Sequence, residues 1–194
     1  MNFDYRNKKY LRKVKILETL EQLVLENNQE VAIQELATAM SLAKGTIYGS
    51  FHSKNHLYLE LLILNESRLL DLTQRHKHEV KQSVSTYMLY HMEQANRTVL
   101  FHAIEERITG QELKLKKKFN ELYNIREQRI LELKTLISDY LSDNQSMISV
   151  RDYLSYVWTV TYGACLLLSS TYYQKSIGDR RNLMNFYIQQ ALKR

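Results

Sequence analysis

Between Gln34 and Lys54 the sequence concentrates groups that donate hydrogen bonds or carry positive charge: Gln34, Lys44, Thr46, Tyr48, Ser50, His52 and Lys54. Ammonium, hydroxyl and amide groups of this kind bind phosphate oxygens and reach the edges of bases. Interleaved with them, Leu36, Ala37, Leu42, Ile47 and Phe51 give the same stretch an apolar back. Gly45, without a side chain, permits close approach of backbone to backbone. Just upstream lie Arg6, Lys8, Lys9, Arg12, Lys13 and Lys15, with Asp4 the lone nearby acid, whereas residues 16–35 carry Glu18, Glu21, Glu26, Glu30 and Glu35 and no base. The net charge of +6 is therefore focused in an N-terminal arm, which suits a polyanionic partner.

Other reactive side chains point away from catalysis. The single cysteine, Cys165, lies among Ala164, Leu166, Leu167 and Leu168, where an inert buried thiol is expected. It has no internal disulfide partner, which fits a reducing cytoplasm. No glycine-rich phosphate loop or nucleophile elbow occurs. His52 and His56 are four apart, and His102 is three before Glu105, but two ligands do not make a metal site. The expectation is therefore no catalytic residue, no metal and no cofactor. The N-terminus lacks the apolar run of a secretory signal. The longest apolar region, 157–168, is broken by Thr159, Thr161, Tyr162 and Gly163 and falls short of the roughly 20 residues of a membrane span. A cytoplasmic protein without a membrane segment is expected.

The elements that must position these groups are helical. In 194 residues there is no proline and there are only five glycines, so little interrupts helices. Apolar spacing predicts a first helix from Tyr10 to about Glu26, ending at Asn27-Asn28, then two short helices around Ile33–Met40 and Ala43–Gly49. A long helix begins after Ser53, a good N-cap, and runs to about His76. Further helices are predicted near 80–108, with a break near Asn96, and near 111–142, 149–173 and 179–193. Thr109-Gly110, residues 143–146 and Gly178-Asp179 separate them. The reading is all-α, about nine helices, with no strand and no internal repeat.

The run Ala43-Lys44-Gly45-Thr46-Ile47-Tyr48, then Phe51, then Ser53-Lys54 and Leu57, resembles the signature of the TetR family of transcriptional regulators in its second to fourth helices. That resemblance implies a helix-turn-helix in which Lys44, Gly45, Thr46, Tyr48 and Lys54 contact double-stranded DNA, Tyr48 and Lys54 mainly at phosphates. Gln34 and Ser50 are implied as supporting contacts. The chain departs from the family pattern at several places. Asn27-Asn28 replaces a glycine, Val31-Ala32 the usual Thr or Ser, Ser41 the glycine of the inter-helix turn, and Ala43 a capping Ser. Gly49-Ser50 stands where two bulkier residues are usual.

A lone recognition helix binds weakly, and such modules work in pairs about 34–36 Å apart in successive major grooves. Residues 157–168 are apolar on more than one side, and the last helix has two apolar stripes. Two apolar faces need two partners, one of them a second copy of the same helices. Val157, Ala164, Leu168, Leu183, Tyr187 and Ala191 are the predicted interface of a homodimer. The middle helices mix aromatic and polar groups, namely Tyr87, His91, Arg97, His102, Tyr123, Arg126, Trp158 and Tyr162, as a cavity for a small-molecule effector would. The resulting division is a DNA-binding domain over 1–55 and a dimerisation and effector domain over 56–194. The expected function is a sequence-specific regulator on a pseudo-palindromic operator, a repressor released by its effector. The alternatives are a helical protein-interaction module, or a DNA-binding relative without a small-molecule switch.

Overall fold

A computed structural model describes the backbone of residues 2–110 and 113–193, and side chains for all of these except 2–7, 113, 173, 174 and 177. The helices are α1 (Asn2–Asn27), α2 (Ile33–Ala39), α3 (Lys44–Tyr48), α4 (Lys54–His76), α5 (Val80–Met92), α6 (Ala95–Ile108), α7 (Lys116–Asp143), α8 (Val150–Ser169), α9 (Thr171–Ile177) and α10 (Arg180–Ala191). A single 3₁₀ turn, Leu113–Leu115, leads into α7. There is no strand among the described residues. The all-α expectation holds. The break expected near Asn96 falls at Glu93-Gln94, and the helix expected over 149–173 divides at Ser170, whose extended backbone (φ −87°, ψ 116°) interrupts the ladder.

Helix ends follow local chemistry. Asn28 takes a left-handed conformation (φ 51°), which lets Gln29 N–H donate back to Val24 O at 3.2 Å and close α1. Gly110 and Gly178 also have positive φ, 78° and 89°. The Ser53, Ser149 and Asp179 side chains accept from the N–H groups of His56, Asp152 and Asn182, capping α4, α8 and α10.

Two apolar cores organise the chain. The first joins α1, α2, α3 and the start of α4 to the end of α6 and the start of α7, through Ile16, Leu20, Leu36, Ile47, Phe51, Leu57, Ile104, Ile108, Leu115 and Leu122. The second joins α5, the later part of α7, α8 and α10, through Val84, Met88, Ile137, Tyr153, Val157, Cys165 and Ile188. Arg180 locks the second group at its corner, donating to Leu168 O (3.0 Å) and Met92 O (2.9 Å), carbonyls at the ends of α8 and α5.

Candidate nucleic-acid interface

The two short helices are held from behind. Leu36, Ala37, Ile47 and Phe51 are buried and Leu42 is half-buried, as their spacing requires. Local caps are weak: neither Ala32 nor Ala43 supplies a side-chain bond to the helix it precedes. Glu35 compensates at α2, its carboxylate accepting from Ala32 N–H at 2.8 Å. Between the helices Ser41 is left-handed (φ 52°), and Ser41 and Leu42 N–H donate to Thr38 O and Ala37 O at 3.0 and 2.9 Å. Tyr58 supplies the long-range tie. Its buried hydroxyl accepts from Val31 N–H (2.8 Å) and donates to Val31 O (3.2 Å), fixing the approach to α2.

Lys44, Gly45, Tyr48, Gln34 and His52 are exposed, Tyr48 by 46%, and Thr46, Ser50 and Lys54 are half-buried. Gln34 turns part of its amide to its own helix, donating to Thr38 Oγ1 at 3.4 Å. Lys54, the first residue of α4, pairs with Glu30 at 3.0 Å and lies 5.5 Å from the centre of the Tyr58 ring. A Cβ built on Gly45 meets nothing within 4 Å. The backbone approach expected there is not to the chain itself: the glycine leaves its surface open to an outside partner.

The basic stretch at the N-terminus is not a loose arm; its backbone from Asn2 onward is part of α1. Lys8, Lys9, Arg12 and Lys15 are exposed, and the side chain of Arg6 lies outside the described residues. Lys13 instead turns inward, 5.2 Å from the centre of the Phe51 ring and 3.6 Å from Glu60 Oε1. The same oxygen takes His56 Nε2 at 3.2 Å and Lys118 Nζ at 2.9 Å. Burial pushes the Glu60 carboxyl upward, but the hydrogen bond from Lys118 and the neighbouring charges hold it below its ordinary value. His56 Nδ1 accepts from His52 N–H at 3.0 Å, and burial lowers its pKa despite Glu60. His52 and His56 therefore stack, with ring centres 5.2 Å apart, and serve the start of α4. Among the described residues no group of three His, Cys, Asp or Glu side chains is placed to hold a metal.

In the body, a cavity of about 40 Å³ opens between α4, α5, α6, α7 and α8. His91, Arg97, His102, Arg126 and Trp158 of the predicted pocket set line it. Tyr87 and Tyr162 stand behind, ring to ring with His91 (4.8 Å) and His102 (4.7 Å). Tyr123 does not belong. It is 59% exposed on the outer side of α7, near Glu127, because its position turns away from the stripe that carries Leu122, Arg126 and Leu133 inward. The sequence reading missed Asn65, Glu66, Thr98 and Glu105. Arg126 makes two hydrogen bonds to Glu105 (2.6 and 2.7 Å) and two to Glu66 Oε1 (3.1 and 3.0 Å), and Arg129 adds a contact to Glu66 at 3.3 Å. Burial opposes the Arg126 charge, but the two carboxylates raise its pKa further.

His91 is buried, and its pKa is lowered to about 3 by burial and by Arg129, Arg97 and Arg126. Thr98 donates its hydroxyl to His91 O at 3.1 Å, so His91 Nδ1–H donates to that hydroxyl, also at 3.1 Å. Cys165 is buried in the second core, where burial pushes its thiol up to about 11. A thiol so buried and protonated is a poor nucleophile at neutral pH.

The predicted pairing face needs correction. Val157, Ala164, Leu168 and Ala191 are buried in the chain's own second core, because α8 and α10 pack on each other and α5, α6 and α7 cover the rest of α8's inner side. Leu183 and Tyr187 are only half-buried, and the apolar groups left outside on these helices include Leu166 (46% exposed) and Phe186 (52%). No helix among the described residues is long and apolar enough to cross a membrane.

Head and body together define an all-helical protein that presents a helix-turn-helix on a larger helical support. No family model and no curated relative matches the sequence. Solved structures do. The TetR family transcriptional regulator PfmR from Thermus thermophilus superposes with a TM-score of 0.67 at 14% identity, over 92% of this chain and 97% of that one. The transcriptional regulator FadR from Bacillus subtilis, solved in complex with stearoyl-CoA, gives 0.62 at 16% identity, over 93% and 97%. The chain has the TetR-like fold.

Proposed function

We propose that the protein is a homodimeric, sequence-specific DNA-binding transcriptional regulator, in which residues 1–55 read DNA and residues 56–194 pair and sense. One observation carries this reading. A short helix with a buried apolar back turns Lys44, Gly45 and Tyr48 outward, and among the described residues nothing lies within 4 Å of where a Gly45 Cβ would stand. Lys44, Thr46 and Tyr48 serve as the principal contacts, with Gln34, Ser50 and Lys54 flanking; Lys54 reaches phosphate by exchanging Glu30 for it.

An open glycine on α8 likewise supports the dimer. Gly163 lies within α8, where glycine costs roughly 1 kcal/mol relative to alanine, and a Cβ there would meet nothing within 4 Å. Its helix also leaves Ser155, Thr159 and Leu166 outward. We assign the pairing surface to this side of α8 and to Leu183, Phe186 and Tyr187 of α10, packed against the same helices of a second copy on a pseudo-palindromic operator.

Repression released by a small-molecule effector completes the proposal. The cavity abuts α6, which carries Glu105 on its wall and, two residues on, Arg107. Arg107 donates to Glu30 Oε1 (2.6 Å) and Asn55 Oδ1 (3.0 Å), beside the DNA-reading helices. At about 40 Å³ the cavity admits only a few water-sized groups, so an effector of ordinary size must part Arg126 from Glu105 or Glu66 to enter. Such entry favours a different setting of α6, and through Arg107 a different setting of the head. The small volume equally favours a second reading, a regulator without a small-molecule switch. A mobility shift with the DNA flanking its own gene tests the whole. A shift at low salt, lost in Tyr48→Ala and Lys44→Ala with the fold intact, supports it, and no shift at low salt sinks it.

A further inference from the structure

The start of α7 carries a lysine run that the reading head does not explain. Lys114, Lys116, Lys117 and Lys118 fall within five residues, and α7 has no acidic residue in its first turn and no side-chain cap at Leu115. Cations there oppose the helix dipole and one another, so local stability gives no reason for them. Lys114, Lys116 and Lys117 are exposed and make no ion pair with a described residue. Of the four, only Lys118 meets acids among the described residues, Glu60 at 2.9 Å and Glu121 at 2.7 Å.

The position of the run is fixed by Glu60. Lys118 of α7 and Lys13 of α1 share Glu60 Oε1, at 2.9 and 3.6 Å, so the two basic segments lie side by side. His56 is on that same oxygen, and exposed His52, stacked on His56, marks the edge between α3 and α4. Leu115 and Leu122 anchor the start of α7 in the same core as Ile47 and Phe51. Within α7 Lys117, Lys118 and Glu121 share one side at helical spacing, with Lys116 turned away; Lys114, in the 3₁₀ turn three residues before Lys117, precedes them on that side.

We propose that this side, through Lys114 and Lys117 together with Lys9 and Arg12 of α1, is a second phosphate-binding surface that grips duplex DNA outside the base pairs read by α3. The partner is a long, rigid polyanion because these exposed cations stand on two adjacent segments beside the reading head and not around a pocket that a small anion would fill. The surface carries no sequence information; it adds affinity and salt dependence. The proposal rests on the DNA-binding reading above.

The test is fluorescence anisotropy of the full-length protein with labelled mixed-sequence duplexes of about 20 and about 40 base pairs, the shorter spanning little more than two successive major grooves. Binding is followed across a salt series. On the long duplex Lys114→Ala/Lys117→Ala binds about tenfold more weakly, and its salt slope falls by about 2 per protomer. The short duplex is bound as by the parent, circular dichroism is unchanged, and Lys116→Ala behaves as the parent. An unchanged slope on the long duplex overturns the proposal, as does an equal loss on both lengths or the same loss from Lys116→Ala. So does a variant that loses only binding to phosphatidylserine vesicles. If the parent binds neither duplex at low salt, the DNA-binding reading itself fails; parent binding with an indifferent variant removes only the second surface.

Discussion

Two sets of cations in this molecule, one on the surface of the head and one inside the body, sit in opposite surroundings. Around α3 and along α1, Lys44, Lys9, Arg12 and Lys15 stand in solvent. Between α4, α6 and α7, Arg126 is drawn inward onto Glu66 and Glu105, and Arg129 and Arg97 reach the acids Glu66 and Glu21 at 3.3 and 3.8 Å. The head's own frame is apolar, completed by the Tyr58 tie, and its caps at Ala32 and Ala43 are bare. The difference teaches what each cation is for. A charge left in water does little for the fold and is available to a partner, whereas a half-buried charge clasped by poorly exposed carboxylates is structural and costly to remove.

Replacing one cation by methionine in each region is the sharpest way to break this comparison. Arg126→Met strands Glu105 and weakens the hold on Glu66, and should cost about 3 kcal/mol of unfolding free energy in a urea titration. Lys44→Met should leave stability within about 0.5 kcal/mol while weakening DNA binding. Equal stability losses would erase the distinction.

The body should also be the more acid-sensitive region. Folded His91 stays neutral down to about pH 3, whereas in the unfolded chain it takes up a proton below the ordinary value of 6.5. A lowered histidine pKa therefore leaves neutral stability untouched and removes up to about 1.4 kcal/mol per pH unit as the pH falls through that window. By pH 4.5 the loss is about 2.5 kcal/mol, and His91→Asn should flatten the acid limb of a plot of urea midpoint against pH by that amount. An unchanged limb would show that His91 is not the group responsible.

The smallest effects belong to the head's turns. Ser41→Gly relieves a left-handed backbone and should raise stability by about 0.5–1 kcal/mol, read as a higher Tm. Ala43→Ser restores a missing N-cap and should add about 0.5 kcal/mol. Both substitutions should leave the acid limb unmoved, since neither touches the buried charges.

Local signals were legible in proportion to how local their causes are. The departures at Asn28 and Ser41 marked the turns correctly, and both residues are left-handed. Ser53 and Asp179 announced their caps. The apolar back of the short helices followed from spacing alone. The interface residues did not. Val157, Ala164 and Leu168 look like an exposed second stripe in the sequence, and only the packing of neighbouring helices onto α8 turns that stripe inward.

What the sequence determined by itself is the helical architecture and the outward-facing donors between Gln34 and Lys54, because helix spacing, turn conformations and caps depend on neighbours a few residues apart. Tertiary structure decided which cations are free. Arg126 meets Glu105 and Glu66 across 21 and 60 residues of chain, and Lys118 meets Lys13 at a carboxylate on a third helix. An ion pair between helices far apart in sequence depends on distance in space, and periodicity along the chain does not record it.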